Sequence, residues 1–133
     1  RFGRAKGGRV AMKFVVLACL ATAASTSAVA APAPEVRIDL ASFSIAPRPI
    51  HLSASQPVRL IIANSSGSGH DFTAPGLFAT ARNVSGPVVR GSVELAPHQS
   101  AVVDLTPARG RYKAKCGHFG HALMGMKGLV IVD

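Results

Sequence analysis

The chain has 133 residues, a length for one domain, with 15 Lys+Arg against 6 Asp+Glu and a net charge of +9. Hydrophobic residues at 48% are ample for a core and exclude low-complexity disorder, while 13 glycines, 9 prolines and 5% aromatics suit turn-rich β structure better than a helical bundle. The charge raises a nucleic-acid or anionic-membrane reading, which the distribution of the cations decides.

Residues 1–13 carry five of the fifteen cations (Arg1, Arg4, Lys6, Arg9, Lys13) and no acid. Residues 14–24 are apolar, and this run is too short to span a bilayer. Ala28-Val29-Ala30 then puts alanine at both positions that a signal peptidase reads. Residues 12–30 therefore read as a secretory signal peptide that starts at Met12-Lys13 and is cleaved before Ala31, with residues 1–11 as an upstream extension. Cys19 belongs to the apolar part of that signal and not to a lipid-acceptor site. No adjacent Arg pair precedes the run, so export follows general secretion. This reading implies a periplasmic protein with no membrane span. Ala31-Pro32-Ala33-Pro34 is an extended lead-in (31–34) to a domain at 35–133. Residues 31–133 hold ten cations and six acids, a net +4 too modest to imply nucleic acid, and one cysteine, Cys116.

From residue 35 the pattern is one of short strands. Val36-x-Ile38-x-Leu40 and Phe43-x-Ile45 alternate, Ile50-His51-Leu52 resumes after Pro47 and Pro49, and Val58-x-Leu60-x-Ile62 alternates with Arg59 facing out. Residues 64–69 (NSSGSG) form a loop, and residues 75–82 offer a turn or two of helix. Residues 91–95 and 101–105 read as a pair around Ala96-Pro97-His98-Gln99, followed by strands at 110–116 and 128–132. Seven to eight strands predict an all-β fold, a Greek-key β-sandwich or barrel with one short helical turn. Alternation over 110–116 turns Tyr112, Ala114 and Cys116 inward and Arg111, Lys113 and Lys115 outward.

An exported protein meets an oxidising compartment, so a single thiol needs a reason. Residues 116–128 read Cys-Gly-His-Phe-Gly-His-Ala-Leu-Met-Gly-Met-Lys-Gly, bringing one thiolate, two imidazoles and two thioethers between two strands. Soft sulfur with imidazole is the donor set that selects copper, and a His₂Cys site with a weak axial Met is a mononuclear electron-transfer centre. This segment supplies Cys, His and Met. The second His comes from elsewhere, and His70, 46 residues before Cys116, is the candidate.

Cys116-x₄-His121-x₄-Met126-x-Gly128, together with His-Asp-Phe-Thr-Ala-Pro at 70–75, resembles the cupredoxins, the plastocyanin/azurin-like blue-copper proteins, and in particular small bacterial periplasmic members. The resemblance covers essentially all of 35–133. It implies a cupredoxin-like Greek-key fold and one copper ion cycling between Cu(II) and Cu(I). The imidazoles of His70 and His121, the thiolate of Cys116 and the axial thioether of Met126 would hold it. Met124 competes for the axial place. The Gly-Met-x-Gly run, the position before the last strand and the four-residue spacer from His121 favour Met126. His118 departs from the usual family spacing and reads as a partly exposed loop imidazole beside Phe119, with a group next to the ligands, or a ligand in an alternative copper state, as the alternative. His51 and His98 read as ordinary strand-edge and turn residues. Asp71 stands where many relatives carry Asn. A carboxylate accepts hydrogen bonds and donates none, so Asp71 is expected to anchor backbone N–H groups near Cys116 and to favour oxidised copper.

The activity so implied is one-electron carriage between larger redox proteins by a monomer without enzymatic catalysis. A copper tolerance or delivery protein is the alternative. An exposed His121 ringed by Phe119, Ala122 and Leu123 would be the electron port, and Arg109, Arg111, Lys113 and Lys115 would steer an acidic redox partner. Other chemistries fit less well. Structural zinc favours more cysteines, and a Cys/His nucleophile needs a cleft and an orienting group. Catalytic copper oxidation needs further His clusters, and nucleic-acid binding needs a motif or aromatics among the cations.

Overall fold

The computed structural model describes Gly3, Gly7, residues 27–118 and residues 126–133. The chain divides into two compact units, Arg1–Ala30 and Ala31–Asp133. In the first, residues 27–30 carry no regular structure, and the remainder of the predicted signal peptide lies outside the described residues. Among the described residues no helix is long and apolar enough to cross a membrane.

The second unit is built from β1 (Glu35–Ala41), β2 (Ser44–Ala46), β3 (Ile50–Leu52), β4 (Val58–Asn64), β5 (His70–Thr73), α1 (Pro75–Thr80), β6 (Arg82–Ser85), β7 (Ser92–Leu95), β8 (Ser100–Thr106), β9 (Gly110–Lys115) and β10 (Lys127–Val132). They form two five-stranded sheets, ordered β2-β1-β4-β8-β6 and β3-β10-β9-β5-β7. β1 runs parallel to β4 and β3 parallel to β10, and the remaining neighbours are antiparallel. The alternation in the sequence sets the facing surfaces. Ile38, Leu40, Leu60, Ile62, Val103 and Leu105 come from one sheet, and Ile50, Phe72, Val93, Leu95, Ala114, Val130 and Val132 come from the other. Together they bury into one core. Each fully buried aliphatic or aromatic side chain contributes roughly 1.5–3 kcal/mol relative to exposure. Pro75 opens α1, where its missing N–H costs nothing. The helix buries Leu77 and Phe78, and Phe78 meets Phe72 edge to face at 6.2 Å.

The all-β expectation holds, with ten strands in place of seven to eight. The two additional strands are β5, buried along most of its length and so without alternation, and β6, an exposed edge strand with no apolar face. The expected pairing of 91–95 with 101–105 is corrected. β7 pairs with β5 and β8 pairs with β4, in different sheets. The turn between them crosses the sandwich: His98 takes φ 59°, and the Gln99 side chain accepts from the Ala96 N–H at 2.8 Å. Val93 and Leu95 thus face Val103 and Leu105 across the core instead of lying beside them. Over β9 the predicted division holds, with Ala114 and Cys116 buried, Tyr112 half-buried against the core, and Arg111, Lys113 and Lys115 exposed.

Candidate metal centre

Three segments converge at one end of the sandwich: the start of β5, the residues following β9, and the residue preceding β10. Asn64, buried at the end of β4, organises the first approach. Its side-chain amide donates to the carbonyls of Ser68 (2.7 Å) and Ala96 (3.1 Å), and its Oδ1 accepts from the backbone N–H (3.0 Å) and hydroxyl (2.9 Å) of Ser66. One side chain therefore folds the 65–69 loop and ties it to the end of β7, which fixes where His70 enters the sheet. His70 pairs with Leu95 and is buried.

On the other side the Cys116 N–H donates to the Met126 carbonyl at 3.0 Å, holding the two segments together across the intervening residues 117–125. Both side chains are buried. The Cys116 Sγ lies 3.8 Å from His70 Nδ1 and 3.8 Å from Asp71 Oδ2. Burial pushes the Cys116 thiol above its ordinary value, and the backbone amides of Asp71 and His118 oppose that shift by hydrogen bonding to the sulfur. A metal cation that displaced the thiol proton would inherit a thiolate already surrounded by such donors.

Of the four residues predicted as ligands, His70, Cys116 and Met126 gather at this end. His121 lies outside the described residues, as do Met124 and the predicted apolar rim of Phe119, Ala122 and Leu123.

Asp71 does what its chemistry predicts. Both carboxylate oxygens accept from the Gly117 N–H (2.8 and 2.9 Å), and the Thr73 hydroxyl donates to Oδ1 at 2.5 Å. The carboxylate thereby pins the backbone directly after Cys116, where a Cβ on Gly117 would come within 3.1 Å of Asp71 Oδ2. His118 belongs to the same cluster. Its Nε2 lies 2.9 Å from Glu94 Oε1 and 3.6 Å from Asp71 Oδ2, and its ring centroid is 6.4 Å from that of His70. The structure thus favours the reading of His118 as a group beside the ligands over that of a bystander in the loop. Asp71, Cys116 and His118 present donor atoms all within 4.8 Å of one another.

Glu94 is the participant that the sequence reading missed. It sits opposite Asp71 in the β5–β7 register, a relation hidden until β5 is known to be a strand.

Comparison with known proteins follows this geometry. Residues 12–132 match the family described as Cupredoxin-like domain. The chain belongs to that family. Among solved structures, auracyanin B is 26% identical, covering 79% of this chain and 92% of its own, with a TM-score of 0.57. Auracyanin A, a "blue" copper protein from Chloroflexus aurantiacus, is 19% identical over 74% of this chain and 99% of its own, with a TM-score of 0.53. A multicopper oxidase from Campylobacter jejuni is 14% identical over 80% of this chain and 31% of its own, with a TM-score of 0.58. The last two carry the likeness of fold alone. No curated protein matches the chain. Membership of the cupredoxin family implies one copper ion, and the donor set present fits it: a buried thiolate, an imidazole nitrogen within 4 Å of the sulfur, and a buried thioether on the adjoining segment.

Proposed function

We propose that this cupredoxin is an exported one-electron carrier whose copper is held by His70, Cys116, His121 and Met126. The observation that carries the reading is the buried contact between Cys116 Sγ and His70 Nδ1 at 3.8 Å, a separation suited to two donors sharing one ion. Bound copper supplies a single-electron couple between Cu(II) and Cu(I). The chain's part is mechanical and electrostatic. Two sheets hold His70, Cys116 and Met126 at one end of the sandwich, Asp71 fixes the backbone after Cys116, and burial of the thiol keeps solvent away. A fixed site limits rearrangement when the electron moves.

Redox partners are proposed to be acidic and to approach a basic sheet face. Arg111, Lys113 and Lys115 are exposed along β9, and Lys127 stands directly opposite Lys115 on β10. None of the four forms a salt bridge with the described residues, which include every Asp and Glu of the chain. Such a face raises association rates with a negatively charged partner and loses that advantage as salt rises. The carrier acts as a monomer in the periplasm after removal of residues 12–30. An exported protein whose mature sequence starts at Ala31 is the expected result.

A second reading, a copper tolerance or delivery protein, draws on an open cavity of about 670 Å³ that reaches Gly117 and His118 beside the thiol. Stopped-flow mixing separates the two. A carrier exchanges electrons reversibly with a redox partner and keeps its copper against a chelator. A delivery protein gives the copper up to an acceptor at a rate comparable to its other steps.

A further inference from the structure

The same cavity carries an arrangement that electron transfer does not use. Asp71 and Glu94 are directly opposed in the antiparallel β5–β7 pair, a placement in which like charges repel. His118 reaches in from the segment after β9, its Nε2 between Glu94 Oε1 at 2.9 Å and Asp71 Oδ2 at 3.6 Å. Arg90 also lines the cavity but forms no salt bridge with either carboxylate, and among the described residues the imidazole is the group that pairs with both. Two donors bound to one metal ion at about 2.1 Å and at right-angle to tetrahedral geometry lie roughly 3.0–3.4 Å apart, close to both separations.

The donors also form a graded series. Side-chain exposure falls from 73% at Glu94 to 35% at His118 and 6% at Asp71, and Cys116 is 1% exposed. Two carboxylates and an imidazole line the approach, and the softest donor, the sulfur, lies deepest. The Asp71, His118 and Cys116 donor atoms are all within 4.8 Å of one another, so an ion held by any one of them has the other two near at hand. Gly117, between His118 and Cys116 in the chain, also lines the cavity and adds no side chain there.

We infer that Glu94 and His118, with Asp71, form a transient metal-capture site that accepts a divalent copper ion from solvent and passes it to Cys116. Transfer is a ligand exchange without a redox step: copper–oxygen and copper–nitrogen bonds break as a copper–sulfur bond forms, and the thiol proton leaves to solvent. This inference rests on the copper reading above for the final destination only, since capture itself needs neither thiolate nor a second histidine.

Two measurements on the whole domain, residues 31–133, test it. The first uses Cys116→Ser and titrates Zn²⁺ by calorimetry, then repeats the titration with His118→Asn or Glu94→Gln added. Loss of affinity on the order of tenfold with either addition is expected, and dissociation constants equal within twofold across the three proteins would overturn the site. The second follows the rate at which metal-free wild-type protein develops its thiolate-to-copper absorption after mixing with Cu(II). Glu94→Gln is expected to slow uptake about tenfold while the final spectrum is retained, and an unchanged rate contradicts capture. Wild-type protein that never develops the band refutes the proposed function, while the Zn²⁺ comparison still decides the capture site. Circular dichroism checks that each variant is folded.

Discussion

Replacing Asp71 by Asn removes one negative charge beside the sulfur while leaving an acceptor for the Gly117 N–H, so the backbone after Cys116 stays pinned. The carboxylate oxygen is 3.8 Å from Sγ. At an effective dielectric constant of about 20, a unit charge at that distance is worth about 4 kcal/mol. At about 2.3 kcal/mol per 100 mV, this corresponds to nearly 200 mV if all the redox charge sat on sulfur. The charge is shared with the copper ion, and the Asn dipole replaces part of the field, so the expected change is on the order of 100 mV. Its sign follows from which state the carboxylate favours. A negative charge stabilises the more positive Cu(II) state, so its removal raises the reduction potential. Voltammetry on wild-type and Asp71→Asn proteins, with chemical denaturation as a check on the fold, makes the comparison. A potential that stays within about 20 mV, or one that falls, refutes the electrostatic role of Asp71.

Three further outcomes are expected. Asn64→Ala removes the bonds by which that side chain ties the 65–69 loop to β7 and leaves partly buried carbonyls and the Ser66 N–H without that partner, costing about 3 kcal/mol in urea denaturation. Because burial raises the Cys116 thiol above its ordinary 9.0, the folded metal-free chain holds that proton more tightly than the unfolded chain does. The resulting stabilisation is complete below pH 9.0 and is lost as pH rises through the folded value, a decline that denaturation curves detect and that Cys116→Ser abolishes. Lys113→Glu and Lys115→Glu slow electron exchange with an acidic partner by about tenfold at low ionic strength and flatten its salt dependence, whereas rates equal to wild type contradict steering to β9.

The outline of the molecule was legible where residues alternate. β1, β4, β8 and β9 alternate more-buried with less-buried side chains over most of their length, and that period is written in the sequence. β5 and β6 escaped because one is buried almost throughout and the other is exposed throughout, so neither carries a period. The misassigned β7–β8 pair shows the limit of reading turns: the Ala96–Gln99 segment looks like a hairpin, yet it carries the chain from one sheet to the other. The site divides in the same way. Cys116, Met126 and His70 were visible as donor chemistry, and Asp71 as an acceptor beside them. Glu94 acquires its relation to Asp71 only through register, and His118 acquires its place only through the fold of the segment following β9.

The central claim is a copper ion bound by the Cys116 thiolate. Adding one equivalent of Cu(II) to residues 31–133 and recording visible absorption together with electron paramagnetic resonance tests it directly. An intense thiolate-to-copper band that vanishes in Cys116→Ser is the predicted result. A colourless protein, or a band that survives the substitution, contradicts it.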